Sequence, residues 1–425
     1  MQTSINGRRK FFSSVRNLLA AGGIASQART LRAAPAEGHT GAGEGVDYYD
    51  KLGVTKIINA AGTYTALTAS TMPPSVRAAV AIAARHPVRL GELQKAAGEY
   101  LAQKLKCEAA LVSAGAASAL TLGTAACVMV ANKCGIRDLP VEVAHMKNEV
   151  IIQKDHRYGY DQAIVCCGIR FVEVETMEQY EAAFNEKTVM AHFYNASEKG
   201  SISREDWIRV AKSHSIPTFN DAAADVPPIS NLWNYTQMGF DLVTFSGGKG
   251  IRGPQNAGLL LGRKDLIAAA TKNNNPFDGV GRGMKVAKEQ IVGMVAAVDW
   301  FLSQSDSGLE AEFRKRADRI AAQLKGIPTL KSEIVIPPLA NHVPHLLLRY
   351  DPEKVKIQPR DVMVELRKGT PSIELNPSTG SRRGASAGIP ADPNMIVVGV
   401  WMLEPGEDLI VARRLHEVLS KAAKA

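Results

Sequence analysis

The sequence predicts an α/β fold, with a large domain on a mostly parallel sheet and a smaller α+β domain at the C-terminal end. Three observations predict it. Short apolar runs between residues 109 and 262 alternate with helical patterns, as parallel strands covered on both faces do. Past Met284 the pattern changes to two long helices, mixed strands and a closing helix. The 425 residues, 45% of them hydrophobic, suffice for two or three cores.

The elements follow in order. Residues 1–36 carry Arg8, Arg9, Lys10, Arg16, Arg29 and Arg32 and no acid. The arginine pair followed by Lys10, Phe11 and Phe12 resembles a twin-arginine export signal, with cleavage after Ala28 or Ala36. The expectation is folded export to a bacterial periplasm; if the signal reading fails, the protein is cytoplasmic. The apolar run of the signal is too short to span a membrane, and no other run reaches that length, so no span is expected. Residues 37–56 read as a linker, 57–290 as the large domain with its N-terminal segment, and 291–425 as the small domain. A strand at 57–59 leads into the turn Ala60-Ala61-Gly62. Pro73-Pro74-Ser75 opens a helix to about 84, where the missing proline N–H costs nothing. A helix at 92–105 and a strand at 109–113 precede a small-residue helix at 117–131. Strands follow at 150–153, 170–174, 188–193, 217–220, 242–245 and 258–262. Helices at 285–303 and 309–324, strands at 345–350 and 395–400, and a helix at 408–422 complete the chain.

The net charge is +9, but the six basic residues of 1–36 account for most of it and leave +3. That balance gives no reason to expect a nucleic-acid partner. The five cysteines, Cys107, Cys127, Cys134, Cys166 and Cys167, contain no C-x-x-C pair and suggest neither a disulfide framework nor a metal site. Cys166 and Cys167 read as small apolar residues near a helix end.

Three segments carry chemistry. Lys249 lies in Ser246-Gly247-Gly248-Lys249-Gly250, just past a buried strand. Desolvation there lowers an amine's pKa and makes it a nucleophile toward an aldehyde. A phosphate-binding P-loop would need Ser or Thr after the lysine, where Gly250 stands; a plain surface turn remains open. Asp221, in Asn220-Asp221-Ala222-Ala223, ends a strand 28 positions earlier. A carboxylate at that edge suits a protonated pyridine nitrogen, and Ala223 is small enough to lie flat against such a ring; a capping role for Asp221 is the alternative. Ser113-Ala114-Gly115-Ala116-Ala117-Ser118 runs from strand into helix, so its free N–H groups suit a phosphate.

From residue 57 onward the chain resembles fold-type I pyridoxal-phosphate (PLP) enzymes related to selenocysteine synthase, and more closely the D-glucosaminate-6-phosphate ammonia-lyase branch. Matching segments are Ile58-Asn59-Ala60-Ala61-Gly62-Thr63, 113–118, NDAAADVPP at 220–228, FSGGKGIRGPQNAGLLLG at 245–262, 282–288 and 403–407. The resemblance implies the aspartate aminotransferase-like fold and pyridoxal 5'-phosphate as cofactor. It implies Lys249 as the Schiff-base lysine, Asp221 at the pyridine nitrogen, Gly115, Ala116, Ala117, Ser118 and Ser246 near the phosphate, and His156 over the ring. It also implies a homodimer or larger oligomer, with Arg282, Lys285 and Lys288 placed to reach a neighbouring site. No further N-terminal domain for a transfer RNA fits ahead of Ile57. The strand near 397–402 offers Trp401 and Met402 where relatives carry an arginine for a carboxylate, with Arg382 and Arg383 as substitutes. The implied reaction is an α,β-elimination that releases ammonia and a 2-keto acid from an amino acid or amino-sugar acid. The alternatives are selenocysteine synthase-like transfer, transamination and racemisation.

Overall fold

A computed structural model describes residues 45–197, 200–383 and 388–425. The segment read as an export signal lies outside the described residues. Within the expected linker, Asp47 caps a one-turn helix, Tyr48–Leu52, by accepting from the Tyr49 and Asp50 N–H groups. From Thr55 to Ala425 the chain forms one compact unit.

Its main sheet has seven strands: β2 (Ala109–Ser113), β3 (Glu149–Gln153), β4 (Arg170–Val174), β5 (Thr188–Tyr194), β6 (Thr218–Asp221), β7 (Leu242–Ser246) and β8 (Gly258–Gly262). The order is β2-β8-β7-β6-β5-β3-β4. All neighbours from β7 through β4 pair in parallel, while β8 is antiparallel to both β7 and β2. One reversed strand therefore interrupts the expected parallel sheet.

Alternate residues of these strands enter different cores, as the two-residue period of a strand requires. Val112, Val243, Phe245, Leu259 and Leu261 face one core. Leu111, Phe219, Leu242 and Leu260 face the other. The second core is built on helix Gly115–Asn132, which is apolar and long enough to cross a membrane. The expected helix, 117–131, starts two residues late and ends one early, and so falls short of that length. Most of the helix is buried inside the protein, and it packs against β5, β7, β8 and helix Lys264–Asn273.

The C-terminal region has its own core. It contains an antiparallel sheet of β9 (Lys331–Val335), β10 (His345–Arg349) and β12 (Met395–Gly399) in the order β12-β10-β9. It also contains a parallel pair, β1 (Ile57–Ala60) with β11 (Ser372–Leu375). Two boundaries differ from expectation. β1 was assigned to the large domain, yet Ile58 and Ala60 are buried in the C-terminal core. The division expected at 290 cuts helix Lys288–Leu302, whose Ile291, Met294, Ala297, Val298 and Phe301 belong to the first core. That helix packs on Pro74–Ala84 and Leu90–Lys104, and these contacts decide its domain. Its sequence periodicity could not.

Candidate active site

Parallel strands bring their C-terminal ends to one edge, where α/β sheets place their clefts. β6 ends in Asp221 and β7 leads to Lys249 at this edge. β2 passes through Ala114 into the helix that begins at Gly115. The reversed β8 starts at the same edge with Gly258. A Cβ there would stand 2.4 Å from the Gly115 carbonyl carbon, so only glycine admits the helix start this closely.

These ends surround a cavity of about 230 Å³. Gly115, Ala116, Ala117, Asp221, Ala223, Ser246 and Lys249 all line it, so most of the residues predicted from separate segments do meet. Gly115 has φ +85°, and Ala114 provides no side-chain cap to the helix. The first-turn N–H groups are therefore left for an anion. Ser118 does not line the cavity, but its buried hydroxyl has no hydrogen-bond partner.

Asp221 is buried. The Tyr158 hydroxyl donates to its Oδ2 and the Ala223 N–H to its Oδ1, at 3.0 Å for the latter. Burial raises the Asp221 pKa, while Tyr158, Ala223 and Lys249 oppose that rise. Lys249 is half-buried, and burial lowers its pKa against the pull of Asp221 and Asp225. Its loop is tightly folded. A Cβ on Gly250 would lie 2.1 Å from the Val226 carbonyl oxygen, and one on Gly248 2.7 Å from Gln255 Cα. Ser70 Oγ also donates to the Gly248 carbonyl at 2.6 Å.

Asp225, outside the wall, is also buried, 4% exposed, and accepts from Asn195 Nδ2 and, at 3.3 Å, from the Tyr235 hydroxyl. Its Oδ1 has no partner. Burial pushes its pKa up to about 6.

Five further expected residues lie outside the cavity wall, among them Arg282, Lys285 and Lys288, which were expected to reach a neighbouring site. His156 does not line the cavity. Its ring is buried edge-on to Phe193 at 4.5 Å, and its Nδ1 accepts the Tyr194 N–H at 3.2 Å. Tyr158, two residues on, reaches the cavity instead and stacks on Tyr194 at 4.0 Å. Sequence reasoning passed over this tyrosine, although it lies in the same short loop. Arg282, Lys285 and Arg382 are exposed and line neither this cavity nor the next. Lys288 is tied to Glu289 and to the Ala84 carbonyl.

A second cavity, about 320 Å³, adjoins the first and shares Lys249, Tyr160, Tyr194 and Thr65 with it. Its other wall joins the loop after β1 to the C-terminal core. The Asn376 side chain donates to the Ala61 carbonyl at 3.0 Å, and the Asn341 N–H donates to the Ala224 carbonyl at 2.7 Å. Gly62, Asn341, His345 and Trp401 complete that wall. Of these, the sequence singled out Gly62, as a turn residue in a matching segment, and Trp401, while Asn341 and His345 were given no role.

The chain belongs to the L-seryl-tRNA selenium transferase family, whose model matches residues 58–336. It is 29% identical to a 5'-C-glycyluridine monooxygenase-decarboxylase of Streptomyces sp, over 87% of this chain and 92% of that protein. It is 28% identical to the D-glucosaminate-6-phosphate ammonia lyase of Salmonella typhimurium, over 88% of this chain and 98% of that protein. A solved structure of a D-glucosaminate-6-phosphate ammonia-lyase superposes with a TM-score of 0.76 at 26% identity, covering 89% of this chain and all of the other. The fold is that of the fold-type I PLP enzymes, as the resemblance implies.

Proposed function

We propose that this member of the L-seryl-tRNA selenium transferase family is a PLP-dependent lyase. It would convert a 2-amino acid or amino-sugar acid bearing a C3 hydroxyl into ammonia and a 3-deoxy-2-keto acid. One observation carries the reading: Lys249, Asp221 and the uncapped helix start at Gly115 line one cavity. The residues present fit the cofactor. Gly115, Ala116 and Ala117, with Ser246, would hold its phosphate; Asp221 would hold the proton on its ring nitrogen; Ala223 would lie against the ring; and Lys249 would hold the aldehyde carbon. When bound, PLP supplies an aldehyde that takes up the substrate amine and a ring that accepts electrons from Cα.

The chain's own groups do the rest. Burial lowers the Lys249 pKa, which raises the fraction of free amine available as a base. Released by the incoming substrate amine, that base takes the Cα proton. The lysine, now charged, stands beside C3 and gives a proton to the departing hydroxyl, which leaves as water. Lys249 fills the acid's role because His156 lies outside the cavity wall. A water molecule then returns in the hydrolysis that frees ammonia, so substrate and the two products balance. Tyr158 and the Ala223 N–H hold Asp221 in place throughout.

The test uses the purified full chain loaded with PLP. A visible absorbance band should appear and be lost in Lys249→Ala. Ammonia and keto acid should form together from a C3-hydroxyl substrate, with Lys249→Ala about 10²- to 10⁴-fold slower. Ammonia that never appears while amino groups pass to an added keto acid would replace the lyase by an aminotransferase. Racemisation without ammonia, or oxygen uptake with release of CO₂, would replace it by those reactions.

Two further readings accompany this one. The chain works as at least a homodimer, which sedimentation as a monomer at working concentration would refute. It is exported through the twin-arginine route, so Arg8→Lys with Arg9→Lys should hold it in the cytoplasm; unchanged export would refute that route.

A further inference from the structure

The second cavity carries an inference about the substrate, and it rests on taking that cavity as the substrate side of the site. Its wall contains unpaired hydrogen-bonding groups of both senses. Trp401 is 3% exposed, and its Nε1 has no partner. A Cβ on Gly62 would stand 3.7 Å from that Nε1. The indole Nε1 therefore lies next to Gly62, and both residues line this wall. This group can only donate.

The other two groups accept. Asn341 Oδ1 is buried with no partner. His345 is 3% exposed, and its Nδ1 lies 2.9 Å from the Val343 carbonyl oxygen. A carbonyl only accepts, so Nδ1 carries the proton and Nε2 of the neutral ring presents a lone pair. Burial lowers the His345 pKa, which keeps the ring neutral.

We infer that the substrate bears an uncharged hydroxyl, not a phosphate or second carboxylate, on the part of its chain that meets Trp401, Asn341 and His345. A hydroxyl both donates and accepts, and so matches the donor and the acceptors together. An anion only accepts; it would satisfy the indole while facing lone pairs on Asn341 and His345. Among the described residues, Lys249 is the only lysine or arginine in the wall, and it is already engaged at the reacting amine. Leaving such buried groups unmatched costs affinity, which is why polar pockets reject ligands that lack the matching group.

The experiment titrates the PLP-loaded full chain with three probes and follows the visible band. The probes are D-glucosaminate, D-glucosaminate 6-phosphate and 2-aminohexanoate, an alkyl chain of the same length. Wild type should bind D-glucosaminate more tightly than either of the others. Trp401→Phe should weaken D-glucosaminate about tenfold and 2-aminohexanoate less than about twofold. Asn341→Ala, on an irregular loop, should show the same selectivity and serves if the tryptophan variant misfolds. Tighter binding of the 6-phosphate by wild type, or equal weakening of both ligands in the variants, overturns the inference. Absence of any ligand-dependent change overturns it as well.

Ammonia is assayed in the same samples. Selective weakening without ammonia leaves the hydroxyl pocket standing and removes the lyase. Ammonia with preference for the 6-phosphate does the reverse.

Discussion

The two cavities share Lys249 but are assembled in different ways. The first is lined by residues at the ends of neighbouring strands, each within a short local motif. The second is lined by Gly62, Asn341, His345, Asn376 and Trp401, which meet only after the two ends of the chain come together. They also differ in what they bury. The first is walled by a buried carboxylate, Asp221; in the second lie a neutral indole N–H and an amide oxygen without partners. Buried charge is more costly than buried dipole. The first cavity therefore holds its polar groups against a larger penalty, as a site that needs perturbed acids and bases does, while the second holds groups suited to recognition.

Asp225, which lies outside both walls but interacts electrostatically with Asp221 and Lys249, gives the largest expected effect. Its pKa rises from 3.8 to about 6 in the folded protein. A carboxyl group with a raised folded pKa binds more protons folded than unfolded between those values, so its contribution to stability falls as pH rises. The cost is complete above about pH 6 and disappears below about pH 4. Asp225→Asn should remove it, gaining on the order of 2–3 kcal/mol at pH 7 relative to pH 4 if no other contact changes. Thermal unfolding of both proteins between pH 4 and 8 measures this; a difference that does not vary with pH would remove Asp225 as the penalised group.

Gly258→Ala comes next. The added methyl would press on the Gly115 carbonyl carbon at 2.4 Å. It should cost about 1–3 kcal/mol and weaken PLP uptake, since the helix start must shift. Uptake equal to wild type would mean that this helix start does not hold the phosphate.

Gly62→Ala should act most weakly and on the other cavity. Gly62 has φ +129° but its added Cβ would meet nothing closer than 3.6 Å. The expected cost is backbone strain of about 1 kcal/mol, with a higher KM and unchanged PLP uptake. A change in PLP uptake instead would mean that the two cavities are not separable by function.

Legibility in the sequence follows the same division. Lys249, Asp221 and Gly115 could be read because strand-end chemistry is local: a Gly-rich turn, an acid after an apolar run, a small-residue helix start. The strand 258–262 was read correctly, but its reversed direction was not, because an apolar run has no polarity until its partners are known. His156 was named from the resemblance alone, and Tyr158 in the same loop was not considered; packing against Phe193 turns the histidine away from the cavity that the tyrosine reaches. Cys166 was read as a small apolar residue, yet it is exposed, and a hydrogen bond involving Cys167 lowers its pKa to about 6. β9 and β11 were not anticipated; β9 is partly exposed, with Lys331, Ser332 and Glu333 at its start, and so lacks an apolar run. The pairing of β1 with β11 carries no local mark at all.

That pairing also orders events in time. β7 and β8 are hydrogen-bonded neighbours joined by a short connection, whereas Ile57 must find Ser372. Contacts between distant positions form slowly, because a long loop must close before any pairing rewards it. On a ribosome, every strand around Lys249 has been synthesised by Gly262, but β1 has no partner until β11 is made. The growing chain thus presents the strands of its first cavity well before it can close the wall of the second.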